Sequence, residues 1–118
     1  MTFMNINEAV EAAVVVREKY RELENLAYGR EWSINDLAVG LMGDVGDLAQ
    51  LIGAQQGIRP APENLRDALG HELSDILWSV FVLSDEFGID MDKAFGHTMA
   101  MLEERVESKI QRVRDIKP

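Results

Sequence analysis

Apolar residues along this chain recur at spacings of three and four, a pattern that predicts helices throughout. In the stretch from about Ile6 to Tyr28, Ala9, Ala12, Ala13, Val16, Tyr20, Leu23 and Ala27 form one apolar stripe. Asn5, with Glu8 three residues on, has the form of a capping box, and Gly29 fits the stop. A second helix is predicted from about Ile34 to Gln56, with Ser33 as its cap; Gly57, Pro60 and Pro62 mark the loop behind it. The third runs from about Glu63 to Phe87 and ends at Gly88. The fourth begins near Met91 behind a cap at Asp90 and continues to about Val113. The run "WSVFVL" has strand-like composition but lies inside a longer helical period, so it belongs to the third helix. The expected fold class is all-α, a four-helix bundle.

Two stretches break the apolar pattern in the same way. "GDVGDLAQL", from Gly43 to Leu51, sets Asp44 and Asp47 in the middle of an apolar helix. Asp is a poor helix-interior residue, and an unpaired charge is costly to bury. At roughly 100° per residue, Leu37, Leu41, Leu48 and Leu51 fall within about 60° of Asp44, and Asp47 lies about 60° to the other side. In the third helix Leu65, Leu69, Ile76 and Leu83 surround Glu72 in the same manner, with Asp75 as its neighbour. A single acid-x-x-acid pair on a helix is commonly a solvated face. Two pairs, each centred in an apolar stripe, point to four carboxylates converging where the helices pack.

Such a cluster repels itself unless cations or protons neutralise it. Mg²⁺ and Mn²⁺ prefer carboxylate oxygens and keep positions open for water or phosphate. A di-iron centre in a bundle calls for Glu-x-x-His twice. The residues three before His71 and His97 are Ala68 and Ala94, so neither histidine fits that design.

The chain has 118 residues, which suits one domain over 1–118 with a core that needs no staples. It has no cysteine, hence no disulfide and no thiol chemistry. The longest apolar run, from Ile76 to Leu83, is interrupted by Ser79 and too short to span a bilayer. Asn5, Asn7 and Glu8 stand where a secretory leader would have its apolar stretch. A cytoplasmic location with no membrane partner is expected. The net charge is −9, and acids are mixed into the most basic stretch, from Arg105 to Lys117, so nucleic acid is not an expected partner. An acidic protein that handles phosphates needs metal ions to offset the charge.

The segments "REWSINDLAVGLMGDVGDLAQL" and "HELSDILWSVFVLSDEFGIDMDKAF" resemble the MazG-like all-α nucleoside triphosphate pyrophosphohydrolases, over roughly Arg30 to Phe95. The family pattern is Glu-x-x-Glu, a gap, Glu-x-x-Asp, then an apolar helix and a "GID" turn. Here it reads Asp44-x-x-Asp47, Glu72-x-x-Asp75 and Gly88-Ile89-Asp90. "LMGDVGDLAQL" is most similar to the dCTP pyrophosphatase branch, which also has a Trp where Trp32 stands. The resemblance implies Mg²⁺- or Mn²⁺-dependent hydrolysis of a nucleoside triphosphate to the monophosphate and pyrophosphate. It also implies metal-holding and catalytic roles for Asp44, Asp47, Glu72 and Asp75, substrate contacts from Trp32, Arg105 and Lys109, and assembly as a homodimer or homotetramer.

The chain departs from that pattern in three places. Both acids of the first pair are Asp, one methylene shorter than the usual Glu. Ala54 stands where the dCTP branch has a second Trp. Thr98, Leu102 and Glu103 stand where relatives carry Lys, Asn and Arg on the fourth helix, although Arg105 matches a family Arg, and Lys109 and Arg112 lie one and two turns on. These departures motivate a different expectation, a catalytically weak or inactive member that binds nucleotides or serves as an oligomeric interaction module, with the acids bridged by partners such as Arg66.

Other residues have plainer expectations. Trp32 either packs at the entry to the second helix or stacks on a base. Trp78 suits a core or a subunit interface, and with Phe81 and Val82 it widens the third helix's apolar stripe beyond one face. His71 suits the surface, His97 the neighbourhood of the phosphates, and Met91, Met99 and Met101 packing.

Overall fold

Local side-chain chemistry sets the helix ends. The computed structural model describes residues 4–117. Asn5 Oδ1 accepts from the Glu8 N–H at 2.8 Å, so α1 (Ile6–Tyr28) starts where its cap predicts. It stops at Gly29, whose φ of 70° is a left-handed conformation that glycine adopts without cost. Ser33 and Asp36 form a full capping box: Ser33 Oγ accepts from the Asp36 N–H at 3.0 Å, and Asp36 Oδ2 accepts from the Ser33 N–H at 2.9 Å. That backbone donor holds the Asp36 carboxyl below the usual range. Behind this box runs α2 (Ile34–Gln55).

The third helix, α3 (Leu65–Glu86), begins two residues later than expected. The prolines at 60 and 62 delay it, and Asn64 makes no side-chain cap. Asp90 caps α4 (Met91–Ile116) by accepting from the Lys93 N–H at 3.2 Å. That helix outruns the expected end at Val113, because no breaker precedes Pro118, which pushes Lys117 into the extended region. Among the described residues there is no strand, and "WSVFVL" is helical.

α2 packs most extensively on α3, and α1 packs across α3. Ala13 of α1, Leu37 of α2 and Val82 of α3 form the buried centre, with Trp78, Phe81 and Leu83 against it. Of the three residues expected at a subunit interface, Val82 is buried within the chain, whereas Trp78 and Phe81 pack against this centre and stay half-buried. The stripe expected on α1 is corrected. Val16, Tyr20 and Leu23 are exposed, and the buried residues of that helix are Ala13, Arg17 and Glu24. Ala13 is common to both sets, and the buried side is turned from the expected stripe by roughly 70°.

The fourth helix does not close a bundle within the chain. It touches mainly α1 and buries none of its residues. The radius of gyration is 18.9 Å, against about 13 Å for a compact domain of nearly this size. Phe95, Met99, Leu102, Val106, Ile110 and Val113 lie at helical spacing along α4 and all face solvent.

α2 is long and apolar enough, by length and composition, to cross a membrane, with a mean hydropathy of 1.3 over its best window. Gly40, Gly43, Gly46 and Gly53 interrupt its apolar runs, so no long unbroken stretch marks it in the sequence. Asp44 and Asp47 lie near its centre, where charge is costly in a bilayer.

Candidate metal centre and adjoining cleft

The packing of α2 on α3 brings Asp44, Glu72 and Asp75 together. Each offers a carboxylate oxygen, and the three oxygens lie within 4.8 Å of one another. All three side chains are half-buried, at mid-helix on facing stripes, as the 3.6-residue period requires. Asp47 differs from the other three. It is exposed and stands outside the close trio, so three carboxylates converge where four were expected. One turn beyond Asp44, it still adds to the field felt by Asp44 and Glu72.

The electrostatics are those of an uncompensated acidic site. Burial, followed by repulsion from Asp75 and Asp47, raises the Asp44 carboxyl above its ordinary value. Burial, followed by Asp44, Asp47 and Asp75, raises Glu72. His71 opposes both shifts and lies with Nε2 3.2 Å from Asp75 Oδ2. Among the described residues, neither Arg66 nor any other lysine or arginine forms an ion pair with the four acids. Glu72 Oε2 is a buried carboxylate oxygen with no hydrogen-bond partner. A hard divalent cation suits such an oxygen, and the donor set fits Mg²⁺ or Mn²⁺.

Beside the acids opens a cleft of about 500 Å³. Asp44, His71 and Asp75 stand on one side, and Val16, Tyr20, Trp32 and Trp78 supply apolar and aromatic walls. Trp32 is half exposed at the entry to α2. Tyr20 and Trp78 meet edge to face, with centroids 5.6 Å apart and planes at 60°. Trp78 Nε1 donates to the Ala13 carbonyl at 3.1 Å, which anchors that wall to α1. Trp78 therefore serves both core and cleft. Tyr20 was expected only as packing, and its place in the cleft follows from the rotation of α1. Ala54 is buried at the far end of α2.

Among the described residues, no lysine or arginine lines the cleft. Arg105 borders a separate shallow depression made by α4 residues alone, and Lys109 is exposed on the same helix. Thr98, Leu102 and Glu103 are exposed there as well, as is His97. Trp32 thus joins the acids within one chain, whereas Arg105 and Lys109 do not.

Sequence reasoning also missed Arg17 and Glu24. They form a buried ion pair on α1, Nη1 to Oε2 at 3.0 Å, next to Trp32. The signal was present: two charges at Ala13-Arg17-Tyr20-Glu24 spacing, which lies along one helix face.

Compared with known protein families, curated proteins and solved structures, the chain gives no match. The MazG-like resemblance rests on the quoted residues alone.

Proposed function

We propose that this protein is a MazG-like, metal-dependent nucleoside triphosphate pyrophosphohydrolase that removes excess or non-standard nucleotides in the cytoplasm. The observation that carries this reading is the trio Asp44, Glu72 and Asp75, with an unpartnered Glu72 oxygen, beside an aromatic cleft. The carboxylates hold Mg²⁺ or Mn²⁺, with Asp47 adding charge from one turn away. The bound metal supplies charge neutralisation for the phosphates and a more acidic water. Trp32, Tyr20 and Trp78 line the cleft as a wall for a base, and the acids would orient the triphosphate through the cation they hold. Water adds to the α-phosphorus as its bond to the bridging oxygen breaks and pyrophosphate leaves; a carboxylate oxygen takes the water's proton.

Arg105 and Lys109 are too far along α4 to border this cleft in one chain. The exposed apolar stripe of α4 supports a homodimer or homotetramer, in which these cations reach the phosphates from a second copy. The departures at Thr98, Leu102 and Glu103 favour a second reading, a nucleotide-binding module without turnover. A panel of nucleoside triphosphates with Mg²⁺ or Mn²⁺, scored for pyrophosphate release, decides between them. Pyrophosphate release that is lost in Glu72→Gln supports the enzyme. Binding without release under either metal supports the module.

A further inference from the structure

The Arg17–Glu24 pair lies outside the acid cluster but ties down the segment that carries Trp32. Both residues are on α1, two turns apart, and each is 3% exposed. Arg17 Nη1 donates to both Glu24 oxygens, at 3.0 and 3.2 Å. Arg17 Nη2 donates to the carbonyl oxygen of Trp32 at 2.8 Å, and the Trp32 N–H donates to Glu24 Oε1 at 2.7 Å. Both main-chain polar groups of Trp32 are therefore held by one ion pair. Trp32 sits in the short link between Gly29, which ends α1, and Ser33, which caps α2. Trp32 is 46% exposed and lines the cleft.

Stability alone does not account for the pair. A buried ion pair often stabilises no more than apolar residues of similar volume. Apolar residues cannot donate to a carbonyl and accept from an amide on the same residue.

We propose that Arg17 and Glu24 are positioning residues that fix the main chain of Trp32 so that its indole stands ready to stack on a base. This rests on the cleft being a nucleotide site. Glu24 lines the cleft, but its oxygens are engaged by Arg17 and Trp32. The pair therefore governs nucleotide affinity and leaves metal binding and the chemical step alone.

Arg17→Lys is the informative substitution in the full-length chain. It keeps the charge facing Glu24 but lacks the planar fork that reaches Glu24 and the Trp32 carbonyl together. The paired variant Arg17→Met/Glu24→Leu removes both charges and guards against misfolding of the single variant. Circular dichroism reports helicity, and electron paramagnetic resonance reports Mn²⁺ binding. The ¹⁵N heteronuclear Overhauser effect reports the rigidity of the Trp32 amide. Binding of the α,β-imido analogues of the four common deoxynucleoside triphosphates is measured with Mg²⁺. Both variants are expected to keep helicity and Mn²⁺ affinity and to loosen the Trp32 amide. Both are expected to bind the nucleotide about tenfold more weakly, because binding must then order a Trp32 segment that the pair holds in advance. KM for the hydrolysed nucleotide rises by a like factor while kcat holds. A rigid Trp32 amide in both variants, or a loosened amide with unchanged nucleotide affinity, overturns the proposal. So does full recovery by Arg17→Lys, which a merely structural role predicts. Wild-type protein that binds Mn²⁺ but none of the four analogues overturns the nucleotide reading itself, and that failure is seen in the wild-type arm alone.

Discussion

Arg17 on α1 reaches over the turn before α2 and places Nη2 2.8 Å from the carbonyl oxygen of Trp32. The same guanidinium neutralises Glu24, and neither side chain meets solvent. Arg17→Ala leaves the Glu24 charge buried and unpaired, at a cost of about 3–5 kcal/mol. Arg17→Met/Glu24→Leu is expected to unfold near the wild-type midpoint. Urea denaturation of the two variants beside wild type checks this; equal midpoints for both would show the pair to be solvated.

Divalent metal is expected to stabilise the fold by mass action. At a hundredfold excess over its dissociation constant the gain is about 2.7 kcal/mol, on the order of 10 °C in Tm. Glu72→Gln should abolish turnover and most of this gain, while the metal-free variant is at least as stable as wild type, because a repelling charge is gone. Melting curves with and without Mn²⁺ read all four states. A large loss of stability in the metal-free variant, together with no metal response in wild type, would sink the metal centre.

The advantage of Glu72→Gln over metal-free wild type should depend on pH in one direction. Burial and the neighbouring Asp44, Asp47 and Asp75 raise the folded-state value of Glu72, against the opposing influence of His71. A raised carboxyl binds its proton more tightly in the folded state, so its contribution is fully present below the ordinary value of 4.5 and is lost as pH rises through the raised value. The variant and wild type should therefore melt together near pH 4, roughly the ordinary carboxyl range. At neutral pH the variant should melt higher. Calorimetry across that range tests it, and a gap that widens toward acid would contradict the sign.

The apolar stripe of α4 calls for a partner surface. Light scattering at micromolar concentration is expected to give a dimer or tetramer, and Leu102→Glu with Val106→Glu to dissociate it. A wild-type monomer would remove the proposed route for Arg105 and Lys109 to a phosphate.

Helix number, caps and the acids on the α2–α3 faces were legible in the sequence because they depend on local periodicity and capping. Leu37, Glu72 and Asp75 fall where the helical period puts them. The orientation of α1 was not legible. Its stripe was drawn through Val16, Tyr20 and Leu23 because they are apolar, whereas packing buried Arg17 and Glu24, whose mutual neutralisation removes the penalty that hydrophobicity alone assigns them. Asp47 was placed with the other acids by helix angle alone. The angle fixes direction but not depth, and one turn along α2 carries Asp47 to solvent.

The absence of any lysine or arginine from the cleft wall has a thermodynamic consequence. A triphosphate entering there, as the proposed function requires, would meet the acids Asp44 and Asp75, so within one chain its charge would be admitted only together with a cation. On the proposed function, nucleotide and metal would be mutual effectors, each tightening the other by the same factor, because coupling free energy is reciprocal. Free nucleotide without the cation would then be repelled, and the concentration of the metal–nucleotide complex, rather than of either component, would set occupancy.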